Sequence, residues 1–354
     1  MPRSVHRPSQ MRRLSVIPIG VTAAIVLSAC SDNGTDHPAA GTSPTVSKAP
    51  ASRGVITRTA AESVIDHYQA TNNRANARRS AQVLGTIETG TLYAQDKADY
   101  RLWNTWTKSE QKEYGSPFTY VDRHLWIPPA SSGATWFAAT VTASTTRAKA
   151  LIIFDKGSGD TYKAALTLFK GKGESIPAIA VDRNGWAVLA DPSKEVGGIA
   201  PAGLHAAYED YWVTGGMKEG TRLAATTKPI KDALQIHRAA EKHGTADGYA
   251  TKKFFATSPA SVKVYALRAA DGAVLAAFST AHTQESLVKP QYRCKTADIV
   301  PSKEQAALGA GQGYLITDTF LGQGLASLTS RSARMTNIEW QAVGSRAAQC
   351  PKPA

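Results

Sequence analysis

The spacing of apolar side chains changes character several times along the chain. From residue 31 to about residue 59, Ser, Thr, Pro, Ala and Gly dominate and almost no large apolar residue recurs. Such a stretch cannot bury a core and reads as a linker. At residue 60 a helical period begins, with Ala61, Val64, Ile65 and Tyr68 on one face. Thr59 is the expected N-cap, Glu62 completes a capping box, and Asn72-Asn73 marks the expected end. A second helical stretch runs through Val83, Leu84 and Ile87, breaks at Gly90 and resumes from Leu92 to about Trp103. The period then drops to two. Residues 118–127, 135–142, 149–154 and 162–169 are predicted strands, Asp155 to Asp160 a turn, and 186–189 a short last strand.

Helices followed by an antiparallel meander predict an α+β fold with the helices on one face of the sheet. Asp191-Pro192, Gly197-Gly198 and Pro201 mark a boundary, after which the order restarts. Placing Leu204 on Ala61 aligns Tyr208 with Ile65 and Tyr211 with Tyr68 at an offset of 143 residues, about one domain length. The alternative is two amphipathic helices that merely look alike. Further strands are predicted at 262–268, 274–280, 314–321 and 338–343, with Asp271-Gly272 in a hairpin position.

The first 29 residues carry Arg3, Arg7, Arg12 and Arg13 without an acidic residue, then an apolar run from Val16 to Leu27, then small residues. These are the three regions of a secretory signal, and the run is too short for a helix to cross a bilayer core of about 30 Å. Leu27-Ser28-Ala29-Cys30 resembles the lipobox of bacterial lipoproteins. That resemblance implies that Cys30 is diacylated and anchors the protein in membrane lipid, two chains sufficing where one is marginal. An ordinary cleaved signal beside a chance Cys is the other reading.

Composition adjusts this picture in two respects. The formal charge of +13 includes those four arginines; without them, 37 basic against 28 acidic residues leave +9, thinly spread and mostly after residue 195. A basic surface suits an anionic envelope polymer or membrane, and another envelope protein is a further candidate partner. Nucleic acid is not an expected partner, because no basic stripe interleaves with aromatics. With Cys30 acylated, Cys294 and Cys350 remain as an even pair in an exported chain, where a disulfide is expected and two free thiols are the alternative.

The helices-then-sheet order also resembles the NTF2-like (cystatin-like) cone. Ile87-Glu88-Thr89-Gly90, with Leu92, Asp96, Ala98 and Tyr100, resembles an uncharacterised domain of actinobacterial exported lipoproteins. The likeness implies two tandem modules, residues 60–195 and 196–354, behind a signal peptide (1–29) and a lipidated linker (30–59). In such cones the concave side holds an active site, a small ligand or a partner, so fold alone does not choose.

Chemistry-bearing residues are few. Asp66 and His67 are adjacent on a helix and diverge by about 100°. Asp122 and His124 share one face of a strand, but a third group for catalysis is missing. His237 and His243 are six apart, and His205 and His282 stand alone, so no metal-ligand spacing is present. Gly309 to Gly313 lacks the Lys-Ser/Thr of a phosphate loop. Ser109-x-x-Lys112, Ser31-Asp32-Asn33 and Lys295-Thr296-Ala297 stand in the wrong order and context for a penicillin-binding site. Trp103, Trp106, Trp126 and Trp136 are aromatics that could stack on a ligand, with Trp126 and Trp136 ahead because they lie on strands. The expectation is a binding or scaffold protein with Trp126, Trp136, Asp122 and His124 as ligand-binding candidates, without catalytic residues, metal or cofactor. A cell-surface enzyme acting on wall material or a small molecule is its rival.

Overall fold

A computed structural model describes residues 53–351, apart from 172–173, 246–247, 260 and 296–297. The signal, Cys30, Ser31-Asp32-Asn33, nearly all of the linker and Thr296-Ala297 lie outside the described residues. Four helices come first: α1 (Arg58–Arg78), α2 (Ala81–Leu84), α3 (Gly90–Leu102) and α4 (Lys108–Gly115). The strands β1 (Tyr120–Trp126), β2 (Trp136–Ala143), β3 (Lys149–Asp155) and β4 (Lys163–Phe169) then form an antiparallel sheet in chain order. The second half repeats the plan with α5 (Leu204–Val213) and α6 (Lys228–His243), then β5 (Ala250–Ala256), β6 (Tyr265–Arg268), β7 (Val274–Val288), α7 (Lys303–Ala307), β8 (Leu315–Leu328) and β9 (Ala333–Ala348).

The second sheet runs β5-β7-β8-β9, and β6 pairs with the other half of the long β7. Strands β5 and β6 therefore act as one interrupted edge strand, and both sheets are four-position meanders. Ala61, Ile65 and Tyr68 of α1 pack on the first sheet, and Leu204, Tyr208 and Tyr211 of α5 pack on the second.

Each sheet is covered on both faces. Phe137, Ala139, Ile152 and Phe154 face α1, whereas Trp136, Ala138, Leu151 and Ile153 point the other way. There they meet Tyr265, Leu267, Leu275, Ala277 and Leu325 of the second sheet. In that sheet Val274, Ala276 and Phe278 alternate with the interface residues and face α5 and α6. The order through the molecule is helix, sheet, sheet, helix. Burial on both faces explains why β3 reads as the unbroken apolar run Ala150 to Phe154 rather than as an alternation.

Three local expectations are corrected. The cap of α1 is Thr57, whose hydroxyl accepts from the Ala60 N–H at 3.2 Å, not Thr59. The helix passes through Asn72-Asn73, whose side chains bond Glu88 and the Phe118 backbone, and ends at Arg79, which takes a left-handed φ of 51°. Residues 186–189 form isolated bridges rather than a fifth strand, Ala187 to Val181 and Leu189 to Leu267, so this segment stitches the halves together.

The exposed edge of β4 is closed by side chains of the other half. The Gln323 carbonyl accepts from the Thr167 N–H (2.7 Å), a Glu339 carboxylate oxygen accepts from the Phe169 N–H (3.0 Å), and Asn337 donates to the Phe169 carbonyl (2.6 Å). Gln323 in turn donates to Gln95 of α3 at 2.6 Å. An unpaired strand edge is a template for foreign strands, and here two buried amides and a half-buried carboxylate occupy it instead.

Candidate functional site

The four residues singled out from sequence fall into two groups. At the outer strand β1, a bulge between Val121 and His124 puts Asp122 at a positive φ of 50°. The extra residue allows Tyr120 and Leu125, five apart, to face the same core. It leaves the Asp122 carboxylate exposed beside Arg147 at 3.8 Å. His124 is exposed and lies along Trp126, with ring centroids 6.4 Å apart. Trp126 is half-buried and donates its indole N–H to the Thr140 hydroxyl at 3.2 Å. Trp136 sits on the same sheet but faces the junction of the halves, its ring edge-on to Tyr265 at 5.2 Å.

At that junction an open groove of about 390 Å³ runs between Trp136, Leu189, Pro192, Val262 and Val264. Its rim carries Lys263, whose ammonium bonds Asp155 at 2.7 Å and the Thr135 hydroxyl at 2.8 Å. The buried Asp155 also accepts from the Tyr265 hydroxyl (2.8 Å) and the Gly157 N–H (2.9 Å). Burial alone would raise its carboxyl, but these donors, Lys263 foremost, hold it below the usual value. This lysine of the second half is therefore held in place by residues of the first.

The motif around Glu88 points inward. Glu88 is buried and accepts from the Tyr68 hydroxyl (3.0 Å) and the Asn72 amide (2.9 Å). Asn72 is bonded by Asn76, which accepts from the Tyr100 hydroxyl at 2.8 Å. Burial, together with the nearby Glu88 and Asp96 carboxylates, pushes both tyrosine hydroxyls far up. This polar thread ties α1 to α3, and the motif acts as a strut rather than as a surface site. Asp66 instead pairs with Arg123 at 2.8 Å, and His67 is exposed.

Sequence reasoning passed over the second sheet. His282 is 4% exposed and lies flat between Trp212 (4.2 Å between centroids) and Phe320 (4.9 Å), with Phe254 and Trp340 edge-on. Among the described residues its Nε2 has no hydrogen-bond partner, and burial pushes the imidazole down to about 3. Next along the same face, Asp318 accepts from Ser345, Gln305 and Gln284. Burial raises its carboxyl, and Lys252 close by is lowered by the same cause. The signal was present in the alternation His282, Gln284, Ser286, which becomes legible only once β7 is known to continue past Thr280. His237 is likewise structural, its Nδ1 2.7 Å from the Trp212 carbonyl. Among the described residues no group of three His, Cys, Asp or Glu side chains is placed to hold a metal ion.

The family model described as "Domain of unknown function (DUF8094)" matches residues 52–346. The chain belongs to this family. The DUF8094 span starts beside Arg53, whose carbonyl accepts from the Ala130 N–H, and ends within β9. It thus takes in both sheets as one unit. An uncharacterized lipoprotein of Streptomyces coelicolor is 29% identical over 351 residues, covering 97% of this chain and 96% of the relative. No solved structure matches. Among the described residues no helix is long and apolar enough to cross a membrane.

Proposed function

We propose that this DUF8094 protein is a lipid-anchored, extracytoplasmic lipoprotein of the cell envelope that binds or scaffolds rather than catalyses. The two repeats, residues 60–195 and 196–354, are read as tandem NTF2-like modules behind a signal peptide and a lipidated linker. The observation that carries the reading is how the helix-facing sides of both sheets are occupied. Ile65, Tyr68, Phe137 and Phe154 fill the first, and Tyr208, Trp212 and Phe278 fill the second. A reaction needs converging polar groups around a space for substrate, whereas recognition can use an outer surface. The junction groove under Trp136, with the pinned Lys263 at its rim, is the surface best shaped for it. The lipobox-like Cys30 and the relative's name support the anchor.

The anchor is tested by metabolic fatty-acid labelling. Label should follow the wild type and vanish in Cys30→Ala, which leaves the membrane or stalls unprocessed; equal labelling of the two overturns the lipoprotein reading. The binding role is tested by placing a photo-crosslinking residue at the groove edge. Envelope adducts should be lost on adding Val262→Asp or Trp136→Ala in protein that still melts as wild type. An activity in envelope extracts that His124→Gln abolishes, and the tryptophan variants keep, would give the enzyme reading instead.

A further inference from the structure

The end of the second sheet carries a feature that the groove does not explain. Residues 289–295, Lys-Pro-Gln-Tyr-Arg-Cys-Lys, hold three basic side chains and no acidic one. The loop is held in a fixed shape. Tyr292 and Arg293 donate their N–H groups to the Lys289 carbonyl, and Lys295 donates to Tyr292. Cys294 takes a positive φ of 57° and is bonded to Cys350, with Cα atoms 5.6 Å apart. Beneath it lies a small separate core of Ala250, Val288, Ile299, Ala310 and Ile316. Arg293 donates twice to the Val288 carbonyl and lies 5.6 Å over the Tyr314 ring, which fixes its charge at the surface.

Two apolar side chains accompany these charges. Tyr292 is 41% exposed, and Val300, one residue beyond the buried Ile299, is 67% exposed. Neither Lys289 nor Lys295 forms an ion pair among the described residues. Asp298, three positions beyond Lys295, is an exposed acidic residue. Cations flanking an aromatic and an aliphatic tip suit an interface that is anionic outside and apolar just beneath, the profile of a bilayer with acidic headgroups. A soluble polyanion would reward the charges but not Val300.

We propose that this disulfide-stapled loop is a second membrane contact, which lays this end of the second sheet on anionic lipid while the acyl chains tether the chain. The proposal rests on the lipoprotein reading above, and acylation is removed in its test so that the two stand or fall separately. The chain from residue 30 onward, without the basic and apolar signal and carrying Cys30→Ser, is mixed with phosphatidylcholine vesicles, with or without phosphatidylglycerol, and sedimented. Binding should require the anionic lipid and weaken as salt rises. Lys289→Gln with Lys295→Gln should lower it about 25-fold, about fivefold per charge. Tyr292→Ser with Val300→Ser should lower it several-fold at unchanged charge, and Asp298→Asn should raise it. Each variant is first shown to melt as the parent does, with its disulfide intact.

Equal binding to both vesicles overturns the proposal, as does indifference to the double lysine change. Binding in which poly(glycerol phosphate) competes, and which the Tyr292/Val300 pair does not affect, assigns a wall polymer as the partner and overturns the membrane contact.

Discussion

Asp155 shows how much one side chain can be asked to join. Its carboxylate collects donors from the first sheet's turn and from Lys263 and Tyr265 of the second half. Asp155→Asn should cost about 1–3 kcal/mol in chemical denaturation, because the Lys263 ammonium at the rim and two hydroxyls lose the charge of a buried acceptor. The carboxyl is held below its ordinary value of 3.8. This contribution is therefore complete above that value and is lost as pH falls through the lower folded one. His282 acts over a different window. Unfolded, it takes a proton below about 6.5, whereas the folded imidazole resists until about 3. Stability should fall as pH drops between those values, by at most about 1.4 kcal/mol per unit. Asp318, raised by burial, has the opposite sense: the stability that its raised carboxyl confers is present in acid and lost as pH rises through its folded value. His282→Phe keeps the stack between Trp212 and Phe320 and removes the orphan nitrogen. Thermal melts at pH 7 and 4.5 should differ less in this variant than in the parent; an unchanged difference would show that other groups set the acid limb.

At the level of elements, the sequence carried the α1 face through its helical period, and the first meander through short β-branched and aromatic runs bounded by turn residues. It missed α6 and β5. In α6 the first turn holds Pro229, which reads as a break but costs no hydrogen bond there. Strands β7 to β9 were predicted too short because their distal halves are rich in Thr, Gln, Ser, Gly and Ala. Those positions are strand because the sheet neighbours pair with them, a cause that no local window contains. The candidate residues were placed on the correct strands, but whether Trp136 faces α1 or the other sheet depends on a partner about 130 residues away. The Cys294–Cys350 bridge closes a loop 56 residues long. Replacing both by Ala should cost about 4 kcal/mol on the chain-entropy account, read as a lower denaturation midpoint with a steeper slope, because the unlinked unfolded chain exposes more surface.

Over the whole molecule, the two sheets share one interface core, so each half leaves apolar surface bare without the other. A chain ending at residue 195 would expose Leu151, Ile153 and Leu166 together with the edge of β4. It should aggregate or bind a hydrophobic dye, whereas the full chain should unfold in a single transition; a soluble, cooperatively melting fragment would show that the halves are independent. The buried Gln323 gives a subtler test. Gln323→Leu should destabilise by about 1–3 kcal/mol, since Thr167 and Gln95 both lose a partner.

The side chains that close β4 also set a timetable. As the chain emerges N-terminus first, in synthesis or in export, the first sheet can pair internally once residue 169 is available, yet its seal is not made until residues 323 to 339 have followed, more than 150 positions later. For that interval the nascent chain carries an open strand edge and an uncovered apolar face. At about 5–20 residues per second this lasts on the order of 10–30 s, long enough for a holding chaperone to matter more to yield than any single native contact.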